Sequence, residues 1–290
     1  MTPSLAELPI RDERVRRIAV AAAKGGGGLL GVGTAITGAA VGVMVVQARQ
    51  ARRAIGPRTA SAPYSDGRYL PPGEETPRGT SLRLAMLGDS GAAGLGAENA
   101  HGTAGGRLAA ELAAASHRQV LLTNVALVGA QSSDLAVQVE RALAVRPHVA
   151  VIMIGANDVT HLVRPQKSVR LLGDAVHRLR ELGTQVVVGT CPDLGTVRPI
   201  SSPLRQVVGR MSRELAAAQS IAVSEAGGRP VHLAEILGGL FGTAPERFFS
   251  ADRFHPSAEG YAACAHALLP DVLDAMGLPR PDAMPALPSA

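Results

Sequence analysis

A chain of 290 residues has room for one large domain with extensions. It is 46% hydrophobic with four Phe, three Tyr and no Trp, so a core must be built from Leu, Val, Ile and Ala, which suits helices packed on a parallel sheet. The net charge of +5 comes almost entirely from scattered arginines, with no basic stripe of interleaved aromatics, and this argues against nucleic-acid binding.

Residues 1–24 are polar and become basic at Arg11, Arg14, Arg16, Arg17 and Lys24. Residues 25–48 carry no charged side chain. As a helix they would span about 36 Å, enough for a hydrocarbon core of about 30 Å. Leu29, Leu30, Val32, Ile36, Val41, Val43, Val45 and Val46 favour insertion, and eight glycines offset part of that. The segment reads as a marginal membrane anchor. The alternatives are a long signal peptide cut near Val46-Gln47-Ala48, which would export the protein, and a glycine-rich disordered or core segment. Arg49, Arg52 and Arg53 balance the basic residues before the segment, so the positive-inside rule does not fix the side of the membrane. Residues 49–80 contain five prolines and little apolar periodicity, which is the pattern of a linker.

From residue 81 strand and helix patterns alternate, and a domain is expected over 81–276. Strands are expected at 82–88, 119–127 (QVLLTNVAL), 148–154 (HVAVIMI), 185–189 (QVVVG) and 230–233. Helices are expected at 107–115, 133–145, 168–182, 204–223 and 257–276, the last open to interruption at Pro270. Residues 277–290 are a proline-rich tail. Five parallel strands alternating with helices predict a three-layer α/β/α domain with a doubly wound sheet. Cys191 and Cys264 have no metal-ligand spacing and no disulfide framework, leaving two buried thiols or one disulfide.

The chemistry-bearing residues gather at the carboxyl ends of these strands, where open α/β sheets place their ligands. The first strand runs into Gly88-Asp89-Ser90 and a series of small residues. Read alone, Ser90 is either an exposed nucleophile or part of a helix cap. The second strand ends at Leu127-Val128-Gly129-Ala130, where Gly129 could turn its N–H toward a bound group or simply make a turn. The third ends at Gly155-Ala156-Asn157-Asp158; Asn157 can donate to a developing oxyanion, or cap a helix. Asp252-Arg253-Phe254-His255-Pro256 is a loop in which the carboxylate can hold one imidazole nitrogen and leave the other outward as a base. No third His, Cys or carboxylate stands near that pair at metal-ligand spacing. His101, His161 and His232 are scattered and read as loop or surface residues. Together the set supplies a nucleophile, a base, an orienting carboxylate and oxyanion donors, each once.

These four blocks, GDSGAAGLGA, LVGA, GAND and DRFH, resemble in content and order the SGNH/GDSL family of serine hydrolases. The resemblance covers residues 82–260. It implies a flavodoxin-like fold, no metal or cofactor, and hydrolysis of carboxylic esters, with a small-molecule, lipid or carbohydrate ester as the partner. Carried onto this chain, it makes Ser90 the nucleophile, His255 the general base and acid, and Asp252 its orienter. The oxyanion hole would be the Ser90 and Gly129 N–H groups and the Asn157 side chain. Asp89 and Asp158 read as structural caps. An acyltransferase to a sugar or lipid hydroxyl would use the same residues, and a non-catalytic binding module could share the fold.

Overall fold

A computed structural model of the chain describes residues 33–55, 61–73 and 79–281. Six strands form one sheet: β1 (Gly67–Tyr69), β2 (Leu82–Gly88), β3 (Val120–Asn124), β4 (Val149–Met153), β5 (Gln185–Gly189) and β6 (Arg229–Val231). Their order is β1-β3-β2-β4-β5-β6. β1 is antiparallel to β3 and every other pairing is parallel. The helices are α1 (Gly33–Ile55), α2 (Ser90–Ala93), α3 (Ala104–Ser116), α4 (Leu135–Leu143), α5 (Ala156–Thr160), α6 (Pro165–Glu181), α7 (Leu204–Glu225), α8 (Leu233–Thr243), α9 (Pro245–Phe248) and α10 (Ala258–Ala275).

The two-residue period of a strand divides the core between the faces of the sheet. Leu82, Leu84 and Met86 of β2, with Val149 and Val151 of β4, pack on one side with α3 and α10. Ala85, Leu87, Ala150 and Ile152 face the other side, against Leu135 and Val139 of α4 and Leu172, Val176 and Leu179 of α6. All five residues of β4 are buried, as expected for a central strand covered on both faces. The expected three-layer arrangement is therefore present.

The sheet has six strands rather than five, and it is mixed. The added strand lies within the segment expected to be a linker. Gly67–Tyr69 pairs its backbone with Leu122–Val120, while Tyr69 is buried and its hydroxyl donates to the Ser65 carbonyl at 2.8 Å. A three-residue strand with one apolar anchor has no period to read. The expected strand at 119–127 stops at Asn124, whose side chain leaves the ladder to donate to the Ala92 carbonyl at 2.9 Å and accept from the Ala126 N–H at 3.0 Å. The strand expected at 230–233 lies at Arg229–Val231, and Leu233 instead opens α8, which with α9 occupies residues beyond it for which no element was expected. Pro270 lies inside α10 without ending it.

The expected membrane anchor over 25–48 is not supported. Residues 25–32 lie outside the described residues, and α1 begins at Gly33 and runs on through Arg49, Arg52 and Arg53 to Ile55. Met44, Val45 and Ala51 are buried in the same core cluster as Ile200 and Leu204. The Gln47 side chain donates to the Ser202 carbonyl and accepts from the Leu204 N–H. No described helix is long and apolar enough to cross a membrane. Cys191 and Cys264 are both buried free thiols, and burial pushes the Cys264 thiol up to about 12.

Candidate active site

β2 delivers its last residues to the carboxyl edge of the sheet. Asp89 caps α2 by accepting from the Gly91 N–H at 2.9 Å. Ser90 is the first residue of α2, where a backbone N–H has no acceptor within the helix. The residue is 9% exposed. Asp89 is more deeply enclosed, and burial pushes its carboxyl up to about 6 against the hydrogen bond from Gly91.

The last loop before α10 brings the imidazole back to Ser90. His255 Nε2 lies 3.0 Å from Ser90 Oγ, across 165 positions of sequence. His255 Nδ1 lies 2.6 Å from Asp252 Oδ2. Asp252 Oδ1 accepts from the Phe254 and His255 N–H groups and from the Ser250 hydroxyl, each at 2.9 Å. Burial would raise the Asp252 carboxyl, but the hydrogen bonds from the His255 ring and from the His255 and Phe254 N–H groups outweigh it. They hold the group well below the usual carboxylate range. The loop itself is a tight turn closed by Ser250 N–H to His255 C=O at 2.8 Å, with Arg253 at φ 55°.

β2 lies between β3 and β4, so the segments that follow those two strands flank Ser90. Gly129, after β3, has φ 85°, a conformation that glycine adopts freely. Asn157, in the first turn of α5 after β4, is 7% exposed. Neither the Gly129 N–H nor the Asn157 side chain is hydrogen-bonded to any described residue. Both carboxylate oxygens of Asp158 accept from the Ser132 N–H at 3.2 Å, and Oδ2 also accepts from the Ser132 hydroxyl at 3.0 Å. The Ser132 hydroxyl in turn lies 2.9 Å from that of Ser168 on α6. Asp158 therefore ties the segment after Gly129 to the helix that carries Asn157. Burial raises its carboxyl, against the hydrogen bonds from Ser132.

A cavity of about 110 Å³ opens beside Ser90 and His255. It runs over the ends of β4 and β5, at Met153, Ile154 and Gly189, to Leu233, Leu237 and Phe241 of α8, with Phe249 and Phe254 also on its wall. A hydroxyl held by an imidazole that is itself held by a carboxylate can attack a carbonyl carbon, and free donors alongside can take up the oxyanion that forms.

The structure brings Ser90, Asp252 and His255 into one hydrogen-bonded line. It sets Gly129 and Asn157 in the segments that follow the two strands adjacent to β2. His161, read from sequence as peripheral, touches this region, with Nδ1 2.8 Å from the Asn157 carbonyl. Sequence reading missed α8 as the far wall of the cavity, although Leu233, Leu237 and Phe241 recur every four residues and could have shown it. It also missed the Ser132–Asp158 tie, for which no local signal exists.

Residues 86–263 match the GDSL-like lipase/acylhydrolase family. The chain is also similar to a GDSL-like esterase of Mycobacterium tuberculosis, with 41% identity over 268 residues that cover 90% of this chain and 85% of that protein. The chain belongs to the GDSL-like lipase/acylhydrolase family. Solved structures agree in fold. TesA superposes with a TM-score of 0.54 at 20% identity, over 67% of this chain and 99% of that one. The psychrotrophic esterase EstA of Pseudoalteromonas sp. gives 0.52 at 14% identity, over 67% and 98% of the two chains.

Proposed function

We propose that the protein hydrolyses carboxylic esters through an acyl-enzyme on Ser90. The observation that carries this reading is the position of His255, 3.0 Å from Ser90 Oγ through one ring nitrogen and 2.6 Å from Asp252 through the other. Ser90 Oγ attacks the ester carbonyl carbon as its proton passes to His255 Nε2. The carbonyl oxygen becomes an oxyanion, met by the Ser90 and Gly129 N–H groups and by the Asn157 carboxamide. The tetrahedral intermediate collapses, the C–O bond to the leaving alcohol breaks, and His255 returns the proton to that oxygen. Water then repeats the sequence on the acyl-enzyme, with His255 as base and then acid, and releases the carboxylic acid. Asp252 accepts from Nδ1–H throughout and offsets the charge gained by the ring. Membership of a family of lipases and acylhydrolases supports the same chemistry.

The cavity wall favours an aliphatic acyl group. Its lining is mostly apolar, Met153, Ile154, Leu233, Leu237 and Phe241 among it, with Thr190, Asp193 and Thr196 also on the wall, and the apolar part gains from covering methylenes. Acyl chains with methylenes to lay on that wall should therefore be turned over better than acetyl.

Initial rates of the full chain on p-nitrophenyl esters from acetyl to palmitoyl, beside Ser90→Ala, test the reading. Turnover that rises from acetyl to longer acyl chains and disappears in the variant is expected. Absence of turnover on every ester by a folded protein, or turnover that survives Ser90→Ala, would overturn it.

A further inference from the structure

Two glutamines that belong to neither the Ser90–His255–Asp252 line nor the flanking donors have fully buried side chains at the carboxyl edge of the sheet. Gln138, on α4, is 0% exposed. Its Oε1 accepts from the Gly88 N–H at 2.7 Å and its Nε2 donates to the Gly88 carbonyl at 2.9 Å. Gln219, on α7, is also 0% exposed; its Oε1 accepts from the Cys191 N–H at 2.7 Å and its Nε2 donates to the Ile154 carbonyl at 3.0 Å. In each case a side-chain carboxamide supplies the donor and acceptor of a peptide group to a strand end.

The position of Gln138 on its helix shows what that costs. Leu135, Val139 and Ala142 form the buried stripe of α4, and residue 138 falls on the same stripe by helical spacing. A leucine there would fill a similar volume with no polar atoms to satisfy. A buried carboxamide is tolerated only when its groups are bonded, and here both bonds go to Gly88, two residues before the nucleophile. Gly88 is itself constrained: its φ is +135°, and a Cβ on it would lie 1.9 Å from the Met153 carbonyl oxygen. The chain thus leaves β2 in a conformation open to glycine, and its N–H and C=O are both held by one side chain from α4. Asp89 and Ser90 follow directly. Gln219 divides its two bonds, donating to the Ile154 carbonyl, three residues before Asn157, and accepting from the Cys191 N–H after β5.

Resting on the ester-hydrolase reading, we propose that Gln138 and Gln219 are positioning residues of the site. Gln138 fixes the turn that aims Ser90 Oγ at His255 Nε2, and Gln219 fixes the turn that carries Asn157. Nucleophilic attack is sensitive to displacements near 1 Å, which can cost about 100-fold. Loss of either carboxamide should therefore appear in kcat and leave KM nearly unchanged.

The test uses full-length Gln138→Leu, Gln138→Glu and Gln219→Leu, with p-nitrophenyl butyrate as substrate, well below each variant's melting temperature. Gln138→Leu and Gln219→Leu should lower kcat by about 10- to 100-fold with KM within about threefold of the wild type. Gln138→Glu supplies a readout that packing alone would not move. Its protonated carboxyl donates and accepts as the carboxamide does, whereas the carboxylate cannot donate to the Gly88 carbonyl. Its kcat relative to wild type should be highest near pH 5 and fall as the pH rises, while the Gln138→Leu ratio stays flat. If Gln138→Leu fails to fold, the Gln138→Glu profile decides. A kcat within threefold of wild type in the leucine variants, or a flat Gln138→Glu ratio, would overturn the proposal. Labelling of Ser90 by a p-nitrophenyl alkylphosphonate, followed by intact mass, separates the two readings. Wild type that labels but hydrolyses no ester overturns only the hydrolase reading, and slower labelling of the variants then still supports the positioning role. Variants that label as fast as wild type overturn only the positioning role. Wild type that does not label overturns both.

Discussion

Asp252 Oδ2 and His255 Nδ1 stand 2.6 Å apart in a turn that also gives the same carboxylate two backbone N–H groups. The carboxylate therefore fixes both the ring and the loop that presents it. Replacing Asp252 with Asn keeps the shape but removes the charge and lets the ring bind in the wrong tautomer, so kcat on p-nitrophenyl butyrate should fall by about 10⁴-fold. The change should be far smaller in KM.

The same carboxylate contributes to acid stability. Its folded-state value is depressed below 3.8, so the folded state holds fewer protons there than the unfolded chain. Stability from this group is present above about pH 3.8 and is lost as the pH falls below it. Urea unfolding of wild type and Asp252→Asn from pH 3 to pH 7 should show a difference that shrinks at the acid end. A difference that grows toward low pH would contradict the assignment.

Asn157→Ala removes a side-chain donor and no bond to another described residue. It should cost about 10²- to 10³-fold in kcat, with a melting temperature close to that of wild type. A variant with unchanged kcat would show that the oxyanion is met elsewhere.

Asp158 behaves differently from its neighbour. Its carboxylate satisfies the Ser132 N–H and hydroxyl in a buried setting, so Asp158→Ala leaves a buried donor unpaired. A loss of about 1–3 kcal/mol in unfolding free energy follows, read from urea denaturation. A fall in kcat should accompany it, because the segments carrying Gly129 and Asn157 are no longer tied together.

Where α3 meets α10, Glu111 Oε1 lies 3.2 Å from His266 Nε2, while Glu111 Oε2 and His266 Nδ1 are buried without partners among the described residues. Burial pushes the Glu111 carboxyl up to about 7, with Arg107 opposing, and burial together with Arg107 lowers the His266 imidazole. For Glu111 the folded state binds more protons than the unfolded chain between about pH 4.5 and 7, so its contribution declines as the pH rises through that window. For His266 the sign is opposite, with stability lost as the pH falls below 6.5. Glu111→Gln should remove the first effect. Its unfolding free energy relative to wild type should therefore climb from pH 4.5 to pH 7.5 in chemical denaturation.

The carboxyl-edge residues were legible because each ends a local pattern. An apolar run closing on Gly88-Asp89-Ser90, another closing on Gly155-Ala156-Asn157, and a proline after His255 all mark turns by themselves. β1 was not legible, since it is held by backbone pairing to a strand more than fifty positions away. α8 was hidden by Gly238 and Gly239, which weaken helix propensity although Leu233, Leu237 and Phe241 keep the buried stripe. The apolar run before Arg49 suggested a membrane helix, whereas Met44, Val45 and Ala51 of α1 pack against the domain instead. Apolar content alone does not distinguish lipid from a protein surface as the partner of such a run.

Side-chain periodicity and turn chemistry act over a few residues, so the alternation of strands and helices and the residue types at each strand end could be read from the chain alone. The order β3-β2-β4, which sets Gly129 and Asn157 on either side of Ser90, came from the folded chain. So did the return of His255 to within 3.0 Å of that serine and the use of Gln138 and Gln219 at the strand ends. Strand order and helix docking are fixed by hydrogen bonds and packing between distant segments, and the local patterns would be the same for any order.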